Sequence, residues 1–181
     1  MPDGVSQYID ESFADTPIHL GSIHQSKWAP LYSDEFWAKP AKVFHEAFSE
    51  QFIKEMHQKR GSEGLAVTEW SLDDDEETPS NQPTTYVRKL EFISKIKDPP
   101  PFMPAKTECY QTERFRFYGS DLVVVDAAIS TPNIKYGDYF MILNRIILAV
   151  SEEDPNKTRM DVSIAFKWLK KTWFEKIVCF L

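Results

Sequence analysis

Cysteine is nearly absent. The 181 residues hold two, Cys109 and Cys179, too few and too far apart for a disulfide framework or a zinc site, and they fit a reducing, cytosolic compartment. Histidine is scarce as well, with His19, His24, His45 and His57 making up the whole set. The stretch "FHEAF" opens like a zinc-protease helix, but the second histidine would have to stand at Ser49, so His45 and Glu46 read as an ordinary helix face. There is no CxxC, no GxSxG elbow and no glycine-rich phosphate loop. The "GSEG" of Gly61 to Gly64 follows a helix instead of opening one, and so lacks the dipole geometry that cradles phosphate. Carboxylate pairs such as Glu108 and Glu113 remain as candidates for acid–base work, which is thin support for a lipid-modifying enzyme. No enzyme and no cofactor are expected.

Positive charge is also in deficit. A net charge of −7 and a pI near 5.1 leave no basic surface for displacing counterions, and no nucleic-acid partner is expected. Long hydrophobic runs are missing: the longest, Phe140 to Val150, is short for a membrane span and carries Asn144 and Arg145. No basic segment leads into an apolar stretch at the start, so secretion is not expected, and the sequon Asn156-Lys157-Thr158 would matter only in a secreted protein.

Aromatic residues are abundant, with 13 Phe, 7 Tyr and 5 Trp. A single domain so endowed has a heavy core or an aromatic-walled cavity, and composition does not choose between them. Residues 1–24 are polar and without period, a tail or linker, which leaves 25–181 as the domain. From "WAPLYSDEFWAKPAKVFHEAF" the pattern turns helical, with Phe44, Phe48, Phe52 and Met56 recurring at fourth positions. Pro40 suits a first helical turn, Gly61 a stop, and Ser49 a cap that would divide the segment into two short helices. About six strands follow, the first "GLAVTEWSL", Gly64 to Leu72, and the cleanest "RMDVSIAFKWL", where Met160, Val162, Ile164, Phe166 and Trp168 share one face and the other face reads as solvated. Helices first and strands afterwards predict an α+β domain with an antiparallel sheet.

Three connections stand out. Asp73 to Pro83 is an acidic hairpin tip. In "TPNIKYGDYF" Gly137 is expected to supply a positive φ while Pro132 forbids helix upstream, a tight reversal into the strand that follows. In "KDPPPFMPAK", Lys97 to Lys106, prolines stiffen a loop that offers Phe102 and Met103, two groups that either tuck into the domain or meet an apolar surface outside.

The order of these signals resembles the VASt family, a branch of the StAR-related lipid-transfer (StARkin) superfamily that includes the Aster and Lam sterol-transfer proteins. The resemblance spans roughly residues 28–178 and rests on "TPNIKYGDYF", supported by "VFHEAFSEQFIKEMHQKRG", "TEWS", "VRKLEF", "MPAKTEC" and "KKTWFEKIV". It implies a helix-grip fold, in which a curved antiparallel sheet wraps a long C-terminal helix around an apolar cavity for one sterol. It also implies exchange of that lipid between membranes, on the cytosolic face of intracellular membranes such as endoplasmic reticulum contact sites. The cavity residues it points to are Phe44, Phe48, Phe92, Val125, Tyr139, Phe140, Met141, Phe166 and Trp168. The lid is Pro101, Phe102, Met103 and Pro104, with Lys95, Lys97 and Lys106 as basic contacts to an anionic membrane. The grip helix is expected to be truncated, since the chain stops at Leu181 soon after "KKTWF". The alternative reading is a protein-interaction domain that keeps the fold without a working cavity.

Overall fold

The computed structural model describes residues 28–73, 83–99, 101 and 103–171. The expected tail, most of the acidic tip, Phe102 of the lid and the segment from Thr172 in which a grip helix would begin lie outside the described residues.

Strand β1 (Ala29–Phe36) comes first, then helices α1 (Pro40–Ala47) and α2 (Glu50–Arg60). Seven strands follow: β2 (Glu63–Val67), β3 (Ser71–Leu72), β4 (Tyr86–Lys95), β5 (Lys106–Tyr118), β6 (Leu122–Ser130), β7 (Phe140–Val150) and β8 (Thr158–Trp168). They form one eight-stranded sheet in the order β1-β8-β7-β6-β5-β4-β2, with β3 also on β4. Every pairing is antiparallel. The sheet is unclosed, since β1 and β2 each pair with one strand only.

The helix boundaries follow local chemistry. Pro40 occupies the first turn of α1, where its missing N–H costs nothing. The Ser49 hydroxyl accepts from Phe52 N at 3.2 Å and starts α2 as a separate helix. Gly61 ends α2 in the left-handed conformation, φ 70°.

The structure corrects the strand reading in three places. β1 lies within the segment that reads as helical; its run from Ala29 to Phe36 has neither clean alternation nor a cap, and its pairing with β8 supplies what local propensity does not. The expected strand at Gly64 to Leu72 divides into β2 and β3. The second sheet face is not simply solvated: Leu122, Val124, Ile147 and Ala149 are buried there, as are Arg145 and Asp126. β6 reads Leu-Val-Val-Val, apolar in both phases, which is the pattern of a strand covered on both sides. On that face Arg145 grips Asp126 with two hydrogen bonds of 2.5 and 3.0 Å and lies against the Trp28 ring, 5.1 Å from its centroid.

The turn before β7 works differently from its sequence expectation. Tyr136, not Gly137, takes the positive φ, at 67°. Gly137 is required by crowding, because a Cβ there would sit 1.9 Å from the Thr131 carbonyl oxygen and 2.8 Å from Ile134 Cγ1. Gly137→Ala is therefore expected to destabilise the fold by about 1–3 kcal/mol, as overpacking does. Gly119→Ala, where φ is 66° and space is open, should cost only the left-handed strain of about 1–2 kcal/mol. Urea unfolding of both variants checks this; a loss below about 1 kcal/mol at Gly137 would refute the crowding argument.

Candidate functional site

The register fixes one inward row across the sheet. Arg88 on β4 opposes Glu113 on β5, Glu113 opposes Ala127 on β6, Ala127 opposes Asn144 on β7, and Asn144 opposes Ile164 on β8. Residues two positions away on each strand extend this face in both directions. Helices α1 and α2 lie over it. At one end α1 plugs the space: Phe44 is 3% exposed and meets Phe115 at 4.5 Å, Phe48 at 5.2 Å and Phe117 at 5.4 Å between ring centroids. Val43, Val123, Val125 and Leu148 complete this core.

Beyond the plug the face is unfilled. A cavity of about 750 Å³ opens between the sheet and the helices. Its apolar wall is made by Val125, Ala127, Ile129, Ile146, Met160 and Val162 from the sheet and by Phe48, Phe52, Ile53 and Met56 from the helices. Leu31, Trp37 and Phe52 stand at its edge, 64%, 76% and 47% exposed.

A polar strip crosses this wall. Arg88, buried, donates from Nε to Glu113 Oε2 at 2.6 Å and from Nη1 to the Phe48 carbonyl at 2.8 Å, so it ties the end of α1 to the sheet. Its guanidinium lies 4.3 Å from the Trp70 ring centroid and 5.9 Å from that of Phe48. Gln111 Nε2 donates to the other Glu113 oxygen at 2.6 Å. Both carboxylate oxygens are thus occupied, and the neutral polar groups that the sheet leaves facing the cavity are the Gln111 and Asn144 amides; the exposed Glu46 and Arg60 line it from the helices. The Asn144 side-chain amide has no hydrogen-bond partner among the described residues, while its backbone belongs to the ladder with β6 and β8. This strip suits a neutral hydroxyl or carbonyl, since its buried cation, Arg88, is already paired with Glu113.

Of the residues expected at the cavity, Phe48, Phe92 and Val125 line it. Phe44 sits behind them in the plug. Phe140, Phe166 and Trp168 share the inward face at the far end, where Phe140 meets the other two edge-on at 6.0 and 5.7 Å. Tyr139 belongs to the turn, edge-on to Tyr136 at 5.5 Å and 5.0 Å from Lys170 Nζ. Met141 is corrected to the opposite face, beside Ala128, Leu143 and Ala165, because it is one residue out of phase with the inward positions. Glu108 and Glu113 point to opposite faces for the same reason. Glu108 bonds Tyr110 and Asn133, so the two acids form no catalytic pair.

The lid segment and the turn before β7 lie at the same end of the sheet. In the lid Pro101 and Pro104 are exposed and Met103 half-buried. Lys106 and Lys95 both reach Glu63 on β2, at 2.7 and 3.8 Å. Lys106 holds the Glu63 carboxyl below its usual pKa. Two of the three expected basic contacts therefore carry a counter-charge, and Lys97 is exposed.

Gln111, Asn144 and His57 are among the cavity residues that sequence reasoning missed. Asn144 is a polar residue at inward phase in a strand otherwise apolar on that side, which is the signal that could have found it, whereas Gln111 shares its phase in β5 with Glu113 and Thr107. His57 carries no such mark, since it sits among charged residues at the end of α2.

An open antiparallel sheet folded over two short helices, with a largely apolar chamber between them, defines a helix-grip-like domain of cavity-bearing type. The chain belongs to the family described as VAD1 analog of StAR-related lipid transfer domain, VASt, whose model matches residues 30–179. Curated proteins gave no match. Among solved structures the chain is similar to the Mll3558 protein of Rhizobium loti, at 13% identity and TM-score 0.39, covering 84% of this chain and 88% of that one. It is also similar to norcoclaurine synthase from Thalictrum flavum, at 10% identity and TM-score 0.41, covering 80% and 72%. An uncharacterised protein from Rhizobium leguminosarum shows 12% identity and TM-score 0.42, covering 87% and 89%.

Proposed function

We propose that this chain is a non-enzymatic lipid carrier that holds one sterol-like lipid in the cavity and exchanges it between membranes, acting on the cytosolic face of intracellular membranes. The family's lipid-transfer character gives the class. The observation that carries the finer reading is the cavity itself: about 750 Å³, inside the range of about 300–1,000 Å³ typical of small-molecule sites. A domain that had kept the fold only to bind proteins would be expected to fill this space.

The energetics suit a carrier. Burying roughly 400 Å² of apolar lipid surface at about 25 cal/mol per Å² yields about 10 kcal/mol. Association costs of roughly 4–15 kcal/mol reduce that to micromolar binding or weaker, which permits release. The Gln111 and Asn144 amides would orient the hydroxyl. The lid end, with Met103 and Lys97, is the proposed side of contact with an anionic membrane. Lys95 and Lys106 contribute there only as far as Glu63 releases them, and exposed ion pairs of this kind are weak.

The expected result is saturable, one-to-one binding of the fluorescent sterol dehydroergosterol by the 181-residue chain. Transfer between vesicles should be faster when the acceptor contains anionic lipid. No saturable binding would overturn the carrier reading.

A further inference from the structure

His57 is 4% exposed, lines the cavity from α2, and has a buried Nδ1 without a hydrogen-bond partner among the described residues. Its ring meets the edge of Phe92 at 4.4 Å, with an interplanar angle of 66°. A polar atom left unpaired in an apolar wall is costly, of the order of 1–3 kcal/mol, and neither the core nor the helix cap needs it there.

We propose that His57 links lipid loading to proton concentration: its neutral imidazole closes the helical wall of the filled cavity, and protonation forces that wall open and favours the empty state. This rests on the carrier reading. Among the described residues the imidazole's surroundings offer it no counter-ion. On its own helix the charged neighbour is Arg60. From β4 it meets Phe92, and from β5 Gln111 and Glu113 share the cavity lining with it. Glu113 is held by Arg88 and Gln111, Glu63 on β2 by Lys106 and Lys95, and Glu46 on α1 is solvent-exposed beside Lys42. Burial, and then repulsion from Arg60, lower the His57 pKa below the ordinary 6.5. The helix dipole works the other way, because His57 lies in the last turn of α2, but it is the smaller effect for a group out of water. A lipid in the cavity removes the remaining water beside the ring and lowers the pKa further. Occupancy and protonation therefore oppose one another.

The linkage has a definite sign. A histidine whose pKa is lower in the loaded state than in the empty one weakens binding as pH falls through the empty-state value, by at most tenfold per pH unit. Dehydroergosterol affinity of the 181-residue chain is thus expected to be constant near pH 7.5 and several-fold weaker by pH 5. His57→Gln should remove most of that slope. The His57 ring resonances of the wild-type chain, followed by NMR, should titrate at lower pH with the sterol bound than without it, which tests the linkage even if the variant folds poorly. A slope unchanged in His57→Gln, or a His57 titration unmoved by sterol, would overturn the proposal while leaving the carrier reading intact. Absence of saturable binding at pH 7.5 would overturn the carrier reading and the linkage with it.

Discussion

Arg88→Met should lower the unfolding free energy by about 3–5 kcal/mol, the range for removing one partner of a buried ion pair. Three losses coincide in this variant. Glu113, 4% exposed, keeps the Gln111 amide but loses its only cation among the described residues. The Phe48 carbonyl at the end of α1 loses its donor, and the Trp70 ring loses the guanidinium that stacks on it. The methionine fills much of the same volume, so the effect reports the polar network and not a void. Urea unfolding at neutral pH measures it. A loss below about 1 kcal/mol would mean that the network is no stronger than a surface salt bridge.

Ala127→Trp should weaken dehydroergosterol binding at least 100-fold, about 2.7 kcal/mol, while the thermal transition stays close to that of the wild type. Ala127 projects into the middle of the cavity from β6, between Glu113 and Asn144. An indole there takes up space that a rigid ring system needs, yet it enters a void and so displaces little protein. Tryptophan fluorescence in the variant should also report the apolar surroundings. Unchanged affinity with an intact fold would place the lipid somewhere other than this chamber.

The legible parts of this fold were those written in local chemistry. Pro40, Ser49 and Gly61 gave the two helices, and the alternation of Met160, Val162, Ile164, Phe166 and Trp168 gave β8 and its inward face. β1 was not legible, because what makes it a strand is a partner at the far end of the domain. The second face of the sheet was misread since β8 looks one-sided, whereas β6, with Val123 and Val125 on one side and Leu122 and Val124 on the other, carries the opposite message. In the candidate site the large aromatics drew attention, but some of them serve as plug or end wall. The smaller positions that leave room, such as Ala127, are visible only once register is known, whereas the Asn144 amide was marked by its place in an otherwise apolar phase. Gly137 shows the same limit within a turn: its presence was readable, but whether torsion or crowding demanded it was not.

The pairing of Ala29 with Ile164 and Phe36 with Thr158 also orders events in time. On the ribosome β1 emerges first and β8 last, so β1 must wait through synthesis of nearly the whole domain for its described partner. Leu31, Tyr32 and Phe36 are meanwhile left without a sheet to lie on. Contacts this distant in sequence make folding slow, and incomplete chains with unpaired strands are prone to aggregate. The hairpins from β4 to β8 can zip in sequence as they appear, each on the one before. Completion of the sheet is therefore a late step, in which the first described strand joins the last.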